Sequence, residues 1–542
     1  GIYPPPPPQQ GQQRGNNVGR NFLLFVVVIF LIALIAYVAL NFVRNRPPST
    51  VSGSTPGATS SATSTAPPAS GIGAFKAPDG ETIGISDGSV AFDTNRPGGF
   101  GSLKAQAAAA YQAGDKNRAM SLWQQATQKD TSDAESLIYL EDQQVLNGGS
   151  HYITIIIGTM ISGNDVGVGR DDLQGAYVAQ KEYNDGVKLN GTLVRLLIAN
   201  SGNQADYATT VAQQIVKAVH TDPTIVGVMG WPFSSRTSKA LDVLNAAHIP
   251  MVSQTASSDS LTGASPYFFR VAPPNNVEGI VGAQYAEKTL HAKNVALFVD
   301  PHDPYSSTLA VDFKKQFQVD GNKVAVTENY TVGQKDNLST LLQDAEKYNP
   351  DLIYFSGYAS DVAVLLTNLP TSGQFANLQI LGGDALYELG GYSVSAHAGF
   401  NRLRFTSFAY PDEWDVLHLT AKKPAFFQEY PLYFNPNNQH TTGSPYGYTR
   451  ADNDVILSYD AMLAILNASF NLLASNQKVS PTTLRQALSQ INGAQSFQGV
   501  SGQISFGPDG NPVNKAILIL YVAQGGFIHM ESTVPSGTFL KS

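Results

Sequence analysis

The 542 residues include 42% hydrophobic side chains, enough for the cores of about two to four domains. The 42 acidic and 34 basic residues give a formal net charge of -8, which argues against nucleic acid as a partner because that function requires a basic face. The absence of cysteine excludes disulfides, thiolate nucleophiles, cysteine-ligated zinc and a lipidated cysteine.

The N-terminal region predicts a membrane anchor. Residues 1–20 are rich in Pro, Gln and Gly and predict a disordered tail. Within residues 21–43, the apolar run 22–40 would be roughly 28 Å long as a helix and would match a hydrocarbon core of about 30 Å. A secretory signal peptide is the competing interpretation, but its apolar region is usually shorter and precedes a small-residue cleavage site. Arginines flank both ends of the run, so the large acidic region downstream is what favours a single-pass protein of the cell membrane with its folded part extracytoplasmic.

Two segments precede the main folded region. Residues 44–100 consist mostly of Ser, Thr, Pro, Gly and Ala, which is typical of a disordered spacer. Residues 101–148 predict a helical hairpin that resembles one tetratricopeptide repeat. The residues that carry this pattern are Tyr111, Gly114, Asp115, Ala119, Trp123 and Ala126. One repeat is too few to stand alone, so we favour an ordinary hairpin that packs on the next domain over a partner-binding array.

From residue 152 onward, short runs rich in β-branched residues alternate with helical patterns. This alternation predicts an α/β protein with parallel sheets. The runs fall into two sets separated by residues 267–276. We therefore expect two doubly wound lobes side by side, with a cleft between them.

Two hydroxyl clusters are expected at one edge of the first sheet. Residues 225–262 predict a strand, a turn with Ser234 and Ser235, a helix, a second strand and a turn with Thr255 and Ser257. In a right-handed crossover the strands are parallel, so both turns meet at the carboxyl edge, where open α/β folds bind ligands. Hydroxyl groups and helix N-termini there favour an anion such as a carboxylate. Helix capping is the alternative role for any one of these residues, and Ser234 and Ser235 are candidate N-caps.

No motif for catalysis, a metal or a cofactor occurs in the sequence. The Gly-rich residues 158–169 follow a predicted strand, but Asn164 and Asp165 occupy the positions where a phosphate loop has Lys and Ser/Thr. The nine histidines lack metal-ligand spacing, and no GxSxG elbow is present. We therefore predict a binding protein that is not an enzyme and needs no metal or cofactor.

Two further residues follow strands of the second set. Asp384 follows the buried run 380–383, where its carboxylate could pair with an ammonium group, although a helix N-cap is the alternative role. Tyr358 lies just beyond the run 351–357, and its ring would pack on a ligand or lie at the rim of the cleft.

Residues 150–533 resemble the type I periplasmic binding proteins of the branched-chain amino acid (Leu/Ile/Val) class. The matching segments are GWPFSS, SQTASSDSLT, YFFRVAPPNNVEG, VALFVDPHDPYSSTLA, DLIYFSGYASDVAVLL, LGGDALY, YDA and FQGVSGQISFGPDGNP. The resemblance implies two lobes, joined by three crossover strands, that close over a small ligand. It places the first lobe at residues 150–271 and 408–512, and the second at residues 272–407 and 513–533.

The resemblance also implies roles for individual residues. Ser234 and Ser257 match the contacts to a ligand carboxylate, and Thr255 matches a position that offers its backbone carbonyl. Tyr358 matches an aromatic residue of the second lobe. Asp384 matches the acidic residue that binds the α-ammonium group of an amino acid.

Two positions depart from the family pattern. Tyr305 lies where the family often has Tyr-Gly, but Ser306 replaces the glycine. Val168 falls where some members carry an aromatic residue over the ligand side chain, and Arg170 lies nearby. These departures leave the side chain of the ligand open.

We expect a membrane-tethered extracytoplasmic solute-binding protein that captures an amino acid or a similar small polar metabolite for an ABC permease. Helices followed by this fold also resemble the penicillin-binding-protein activators, which are envelope scaffolds that act through protein contacts. A sensory ectodomain that passes its signal to a partner is a third hypothesis. The cleft discriminates among them, since a scaffold does not need to keep the ligand-contacting residues together.

Overall fold

The computed structural model describes residues 66–96, 98–388, 392–436, 450–523 and 526–541. The predicted tail, the predicted membrane span at residues 22–40 and the first part of the predicted spacer lie outside the described residues.

The first sheet has seven strands. They are β1 (Gly73–Lys76), β2 (Thr82–Ser86), β3 (Tyr152–Thr159), β4 (Leu193–Asn200), β5 (Ile225–Gly230), β6 (Met251–Ser253) and β7 (Phe268–Arg270). Their order is β1-β2-β4-β3-β5-β6-β7. The five strands β3, β4, β5, β6 and β7 are parallel, and β1 and β2 form an antiparallel edge. The parallel strands are almost wholly buried because helices cover both faces, which explains their continuous apolar sequences.

The second sheet repeats this plan. Its strands are β8 (Asn294–Val299), β9 (Lys323–Asn329), β10 (Leu352–Ser356), β11 (Gln379–Gly382), β12 (Leu403–Ser407), β15 (Leu518–Val522) and β16 (Ile528–Met530). The order is β16-β15-β12-β11-β10-β8-β9, again with five parallel strands and an antiparallel pair at one edge. A separate small hairpin joins β13 (Phe497–Gly499) to β14 (Gly502–Ile504).

Helices fill the connections between the strands. They are α1 (Gly101–Gln112), α2 (Lys116–Lys129), α3 (Ala134–Asn147), α4 (Val166–Asp185), α5 (Tyr207–Thr221), α6 (Ser234–Ala246), α7 (Asn275–Lys288), α8 (Pro304–Val319), α9 (Leu338–Glu346), α10 (Ala359–Asn368), α11 (Glu413–Val416), α12 (Phe426–Phe434), α13 (Asn453–Ala474) and α14 (Pro481–Leu488). The chain crosses between the lobes after β7, after β12 and between β14 and β15. The prediction of an α/β protein with two parallel-sheet lobes is therefore confirmed.

The prediction of a disordered spacer up to residue 100 is wrong for its last part. Strands β1 and β2 extend the first sheet, and Ile83 and Ile85 of β2 are fully buried. Sequence analysis missed these strands because the segment is rich in Gly and Ser. In addition, each strand is only four or five residues long, and β2 contains Gly84. The first lobe thus contains residues that precede the 150–271 segment.

The segment 101–148 forms three helices that pack on the first lobe. Gly114 and the N-cap Asp115 make the predicted turn between α1 and α2, and the Trp123 ring lies between Tyr111 and Tyr139 at centroid distances of 5.7 and 5.4 Å. Helix α3 packs against the part of the β4 edge that β2 does not pair with. There the Leu196 amide of β4 donates a hydrogen bond to Asp142 Oδ1 at 3.0 Å. The predicted hairpin corresponds to α1 and α2, whereas the third helix α3 was not predicted. The contacts support packing on the lobe over a partner-binding repeat array.

Helix α13 is the one helix of the described ranges that is long and apolar enough to cross a membrane. However, 78% of its most apolar window is buried inside the protein, against α4 and the first sheet. Its apolar sequence therefore fits a core helix of the first lobe.

Candidate functional site

A cavity of about 160 Å³ lies between the two lobes at the carboxyl ends of their parallel strands. One water molecule requires at least about 10–15 Å³, so the cavity has room for a small metabolite. The first lobe contributes the start of α4, the loop before α6, Thr255 and the start of α13. The second lobe contributes Tyr305, the start of α10 and the turn that follows β11.

Five of the six predicted site residues line this cavity. They are Ser234, Thr255, Tyr305, Tyr358 and Asp384. Ser257 is not among the lining residues, although it lies two residues from Thr255 and is fully buried. The structure thus brings together residues that are up to 150 positions apart in the sequence, because each follows the end of a parallel strand.

Ser234 is the first residue of α6. The prediction that Ser234 or Ser235 is the N-cap is therefore wrong. The N-cap is Phe233, whose extended backbone precedes the helix and whose side chain makes no capping hydrogen bond. The first-turn N–H groups of α6 therefore have no side-chain cap. The Ser234 hydroxyl accepts a hydrogen bond from the Ser258 amide at 3.0 Å, so its own proton is available to an acceptor in the cavity.

The two other hydroxyl residues of the first lobe are in different situations. The Thr255 hydroxyl donates to the Pro232 carbonyl at 3.1 Å and so fixes the loop before α6. The Ser257 Oγ atom is buried and has no hydrogen-bond partner among the described residues. Sequence reasoning missed Arg270, whose buried guanidinium holds this loop by donating to the Ala256 and Ser258 carbonyls at 3.0 and 2.8 Å.

Three aromatic rings meet where the lobes face each other. Phe233 of the first lobe packs on Tyr358 of the second at a centroid distance of 4.7 Å, and Tyr305 packs on Tyr358 at 5.4 Å. Burial raises the pKa of both tyrosines well above its usual value, so the rings stay neutral. Phe233 was not predicted, because a Phe before a Ser-rich turn carries no specific signal for a ligand contact.

Asp384 opens the turn after β11 and faces the cavity almost completely buried. Its amide donates to Glu278 Oε1 at 2.7 Å, and Thr406 donates to the same oxygen at 2.5 Å. Gly383 permits this geometry, because a Cβ atom there would lie 2.3 Å from the Tyr305 hydroxyl. Burial and the neighbouring Glu278 raise the pKa of Asp384 well above its usual value, and its Oδ1 atom has no hydrogen-bond partner among the described residues.

A second carboxyl group, Asp454, enters the cavity from the start of α13 in the first lobe. Burial and the charges of Asp452 and Asp172 raise its pKa well above the usual value. Asp452 is the N-cap and accepts from the Val455 amide at 3.1 Å. Sequence analysis does not single out Asp454, since Asp-Asn-Asp before an apolar helix is also the pattern of an ordinary cap.

Comparison of the sequence with known protein families identifies the family of this chain. The sequence model of the family described as "Periplasmic binding protein" matches residues 153–526. The chain belongs to the periplasmic binding protein family. The members of this family are solute-binding proteins that are not enzymes.

Two curated relatives are similar in sequence to part of this binding protein. A leucine-, isoleucine-, valine-, threonine- and alanine-binding protein of Pseudomonas aeruginosa is 25% identical over 222 residues, which are 41% of this chain and 58% of the relative. A leucine-specific-binding protein of Salmonella typhimurium is 26% identical over 240 residues, which are 44% of this chain and 63% of the relative. The chain therefore aligns with less than two thirds of the length of either relative.

Two solved structures establish the fold of the binding protein. A leucine binding protein from Thermotoga maritima has a TM-score of 0.59 at 20% identity, covering 70% of this chain and 98% of the other. A branched-chain amino acid transporter substrate binding protein from Streptococcus pneumoniae, in complex with isoleucine, has a TM-score of 0.58 at 20% identity and covers 70% and 99%.

The positions that depart from the family pattern have distinct environments in this binding protein. Ser306, in place of a glycine, is fully buried, and its hydroxyl donates to the Ser356 carbonyl at 2.5 Å. Val168 lines the cavity as a small apolar residue. Arg170 also lines it but forms a two-point ion pair with Asp93 at 2.8 and 2.9 Å, which ties the cavity wall to the chain before α1.

Proposed function

We propose that this binding protein captures an α-amino acid between its lobes outside the cytoplasm and delivers it to an ABC importer. The observation that supports the proposal best is the division of the cavity wall between the lobes. The first lobe offers hydroxyl groups and an uncapped helix N-terminus, whereas the second offers a buried carboxyl group. An α-amino acid carries the complementary carboxylate and ammonium groups, and the names of the curated relatives refer to amino acids.

In this proposal the ligand carboxylate lies at the start of α6. The Ser234 hydroxyl and the first-turn N–H groups donate to it, and the positive end of the helix dipole adds to the attraction. Ser257 is fully buried outside the lining of the cavity, so we assign it no contact with the ligand. Thr255 contributes its backbone carbonyl, since its hydroxyl is used to fix the loop.

The ligand ammonium lies against Asp384 of the second lobe. A cation there neutralises a carboxyl group that is desolvated and close to Glu278, and it gives Oδ1 a hydrogen-bond donor. Tyr358 packs on the ligand, and Tyr305 holds the turn after β11 by accepting from the Ala385 amide at 3.3 Å. Because each end of the ligand is bound by a different lobe, binding favours the closed arrangement.

The proposal includes a membrane tether. The run 22–40 has the length and composition of a membrane span and would keep the lobes near a permease in the same membrane. Intact-mass measurement of the protein extracted from membranes tests this part, since cleavage after residue 40 would remove the tether and leave the binding function.

A thermal-shift screen of the full chain against the common amino acids and small polar metabolites tests the binding function. A ligand at 100 times its Kd stabilises the folded state by about 2.7 kcal/mol and should raise the melting temperature measurably. The Asp384→Ala variant should lose the shift, whereas Asp242→Ala, which alters an exposed residue of α6, should keep it. If no compound stabilises the protein, the envelope-scaffold hypothesis replaces this proposal.

A further inference from the structure

The cavity wall carries more acidic groups than one ammonium group can neutralise. Four carboxyl side chains line it, and Arg170 is the only Arg or Lys among the lining residues of the described chain. The four are Asp165, Asp384, Glu388 and Asp454. Two of these, Asp384 and Asp454, enter from opposite lobes and are at least nine-tenths buried.

The nearby arginines are paired with other carboxylates. Arg170 makes its two-point contact with Asp93, and Arg236 contacts Asp165 at 3.1 Å and the Asn203 carbonyl at 2.7 Å. Among the described residues, neither Asp384 nor Asp454 forms an ion pair within 4.0 Å. The surroundings of Asp454 add further acidic groups, Asp452 and Asp172, and no basic one.

An aliphatic ligand would leave this arrangement uncompensated. If Asp384 takes the α-ammonium group, a side chain such as that of leucine would cover Asp454 with apolar surface and give its carboxyl no partner. The buried Oδ1 atom of Asp384 has no hydrogen-bond partner in the described chain. The charge of Asp384 also raises the pKa of Asp454, so the two carboxyl groups act on each other within the cavity wall. A second cation on the ligand would give Asp454 its counter-charge.

The described residues suit a cation carried by an organic ligand better than a metal ion. No group of three or more His, Asp or Glu residues in the described ranges converges closely enough to hold a metal ion. The cavity also carries the rings of Phe233, Tyr305 and Tyr358, which suit the methylene groups of a long side chain and attract a cation at their faces.

We infer that the ligand is a dibasic α-amino acid such as lysine, whose α-ammonium group binds Asp384 and whose side-chain ammonium group binds Asp454. This inference rests on the proposed function, because it uses the same cavity and the same carboxylate site. It goes beyond that function because it assigns the side chain of the ligand. The differences from the family pattern at Val168 and Ser306 leave that side chain open.

Calorimetric titration of the full chain in detergent with three probes tests the inference. The probes are L-lysine, L-norleucine, which lacks only the side-chain ammonium group, and cadaverine, which lacks only the carboxylate. L-lysine should bind at least about tenfold more tightly than L-norleucine, as expected for one charge-assisted hydrogen bond. Asp454→Asn should remove this preference and leave L-norleucine affinity within about twofold, which also shows that the variant is folded. Asp242→Asn is the matched control and should behave like the parent protein.

The outcomes separate the inference from the proposed function. If L-norleucine binds as tightly as L-lysine, the second-cation inference is wrong and the amino-acid function stands. If cadaverine binds and neither amino acid does, the cationic ligand stands and the amino-acid function is wrong. If Asp454→Asn keeps the full preference for L-lysine, the side-chain ammonium group is not bound by Asp454 and the inference is overturned.

Discussion

Asp384 and Ser234 are expected to differ in their contributions to ligand affinity. Removing the Asp384 carboxylate would leave a desolvated ammonium group unpaired, which typically costs about 3–5 kcal/mol. Loss of one hydroxyl donor to a charged group costs roughly 1.5–3 kcal/mol. Calorimetric titration with one amino-acid ligand should therefore show that Asp384→Ala weakens binding at least about tenfold more than Ser234→Ala. Ser235→Ala, a neighbouring hydroxyl outside the cavity wall, is the control. Parent-like affinity of Asp384→Ala would refute the ammonium site.

The buried acids also predict how stability depends on pH. Burial raises the pKa of Asp172 and Glu278 to about 7 and that of Asp452 to about 6. In the unfolded chain these groups lose their protons near pH 4, so between about pH 4 and 7 the folded state binds more protons than the unfolded state. Their contribution to the free energy of unfolding therefore decreases as pH rises through this range.

Asp172→Asn isolates one part of this effect. The amide can keep hydrogen bonds to the Thr159 and Ser458 hydroxyls, which lie 2.6 and 2.9 Å from the carboxyl oxygens, but it cannot titrate. Urea unfolding of the ligand-free protein between pH 4.5 and 7.5 should show a shallower loss of stability in Asp172→Asn than in the parent. Asp242→Asn should follow the parent. An identical pH dependence in all three proteins would contradict the assignment.

At the residue scale, the structure places in the cavity wall those predicted side chains that follow a parallel strand. Ser234, Thr255 and Asp384 were located by this rule, because the carboxyl edge of the sheet collects such residues. The rule cannot find Asp454, which lies in the first turn of a helix after the N-cap Asp452 and has the sequence pattern of an ordinary cap. It also cannot tell that Ser234 is the first helical residue, since Phe233 is held in extended conformation by the loop contacts.

At the scale of elements, strands β1 and β2 should be required for a stable first lobe. A fragment 101–542 would lack them and lose two fully buried isoleucines, and each such loss costs about 2–5 kcal/mol. It would also expose the β4 backbone that pairs with β2. Thermal unfolding should show a lower melting temperature or aggregation for 101–542 compared with the fragment Thr63–Ser542. Equal melting temperatures would contradict this role.

The helices α1 to α3 should contribute stability through a buried charge cluster. The Lys104 ammonium group contacts Asp133 at 2.8 Å and Glu135 at 2.6 Å, and all three side chains are almost fully buried. Lys104→Met would leave two buried carboxylates without this cation, at a cost of about 3–5 kcal/mol. Urea unfolding at neutral pH measures the change. Lys116→Met, on the exposed face of α2, should stay within about 0.5 kcal/mol of the parent, and an equally small effect at Lys104 would contradict the prediction.

For the whole molecule, the alternation of strands and helices was sufficient to predict two α/β lobes, because each parallel strand needs a crossover helix. Local pattern could not predict how the segment 101–148 docks. Its place depends on long-range contacts, such as the Asp142 carboxylate on the β4 edge and the Asn184 amide on Glu141, which join residues 54 and 43 positions apart.

Lobe closure distinguishes a solute-binding protein from a rigid scaffold. The structure has the lobes in contact through Phe233 and Tyr358, with the cavity between them. We expect this arrangement when ligand bridges Ser234 and Asp384, and a more open one in the free protein, because a ligand shifts the equilibrium only by binding one state better. Small-angle X-ray scattering of the full chain in matched detergent should show a smaller radius of gyration at saturating amino acid. The Asp384→Ala variant, at the same ligand concentration, should keep the larger value. An unchanged profile for the parent protein, under conditions where calorimetry shows saturation, would mean that ligand binding does not close the lobes and would favour the scaffold.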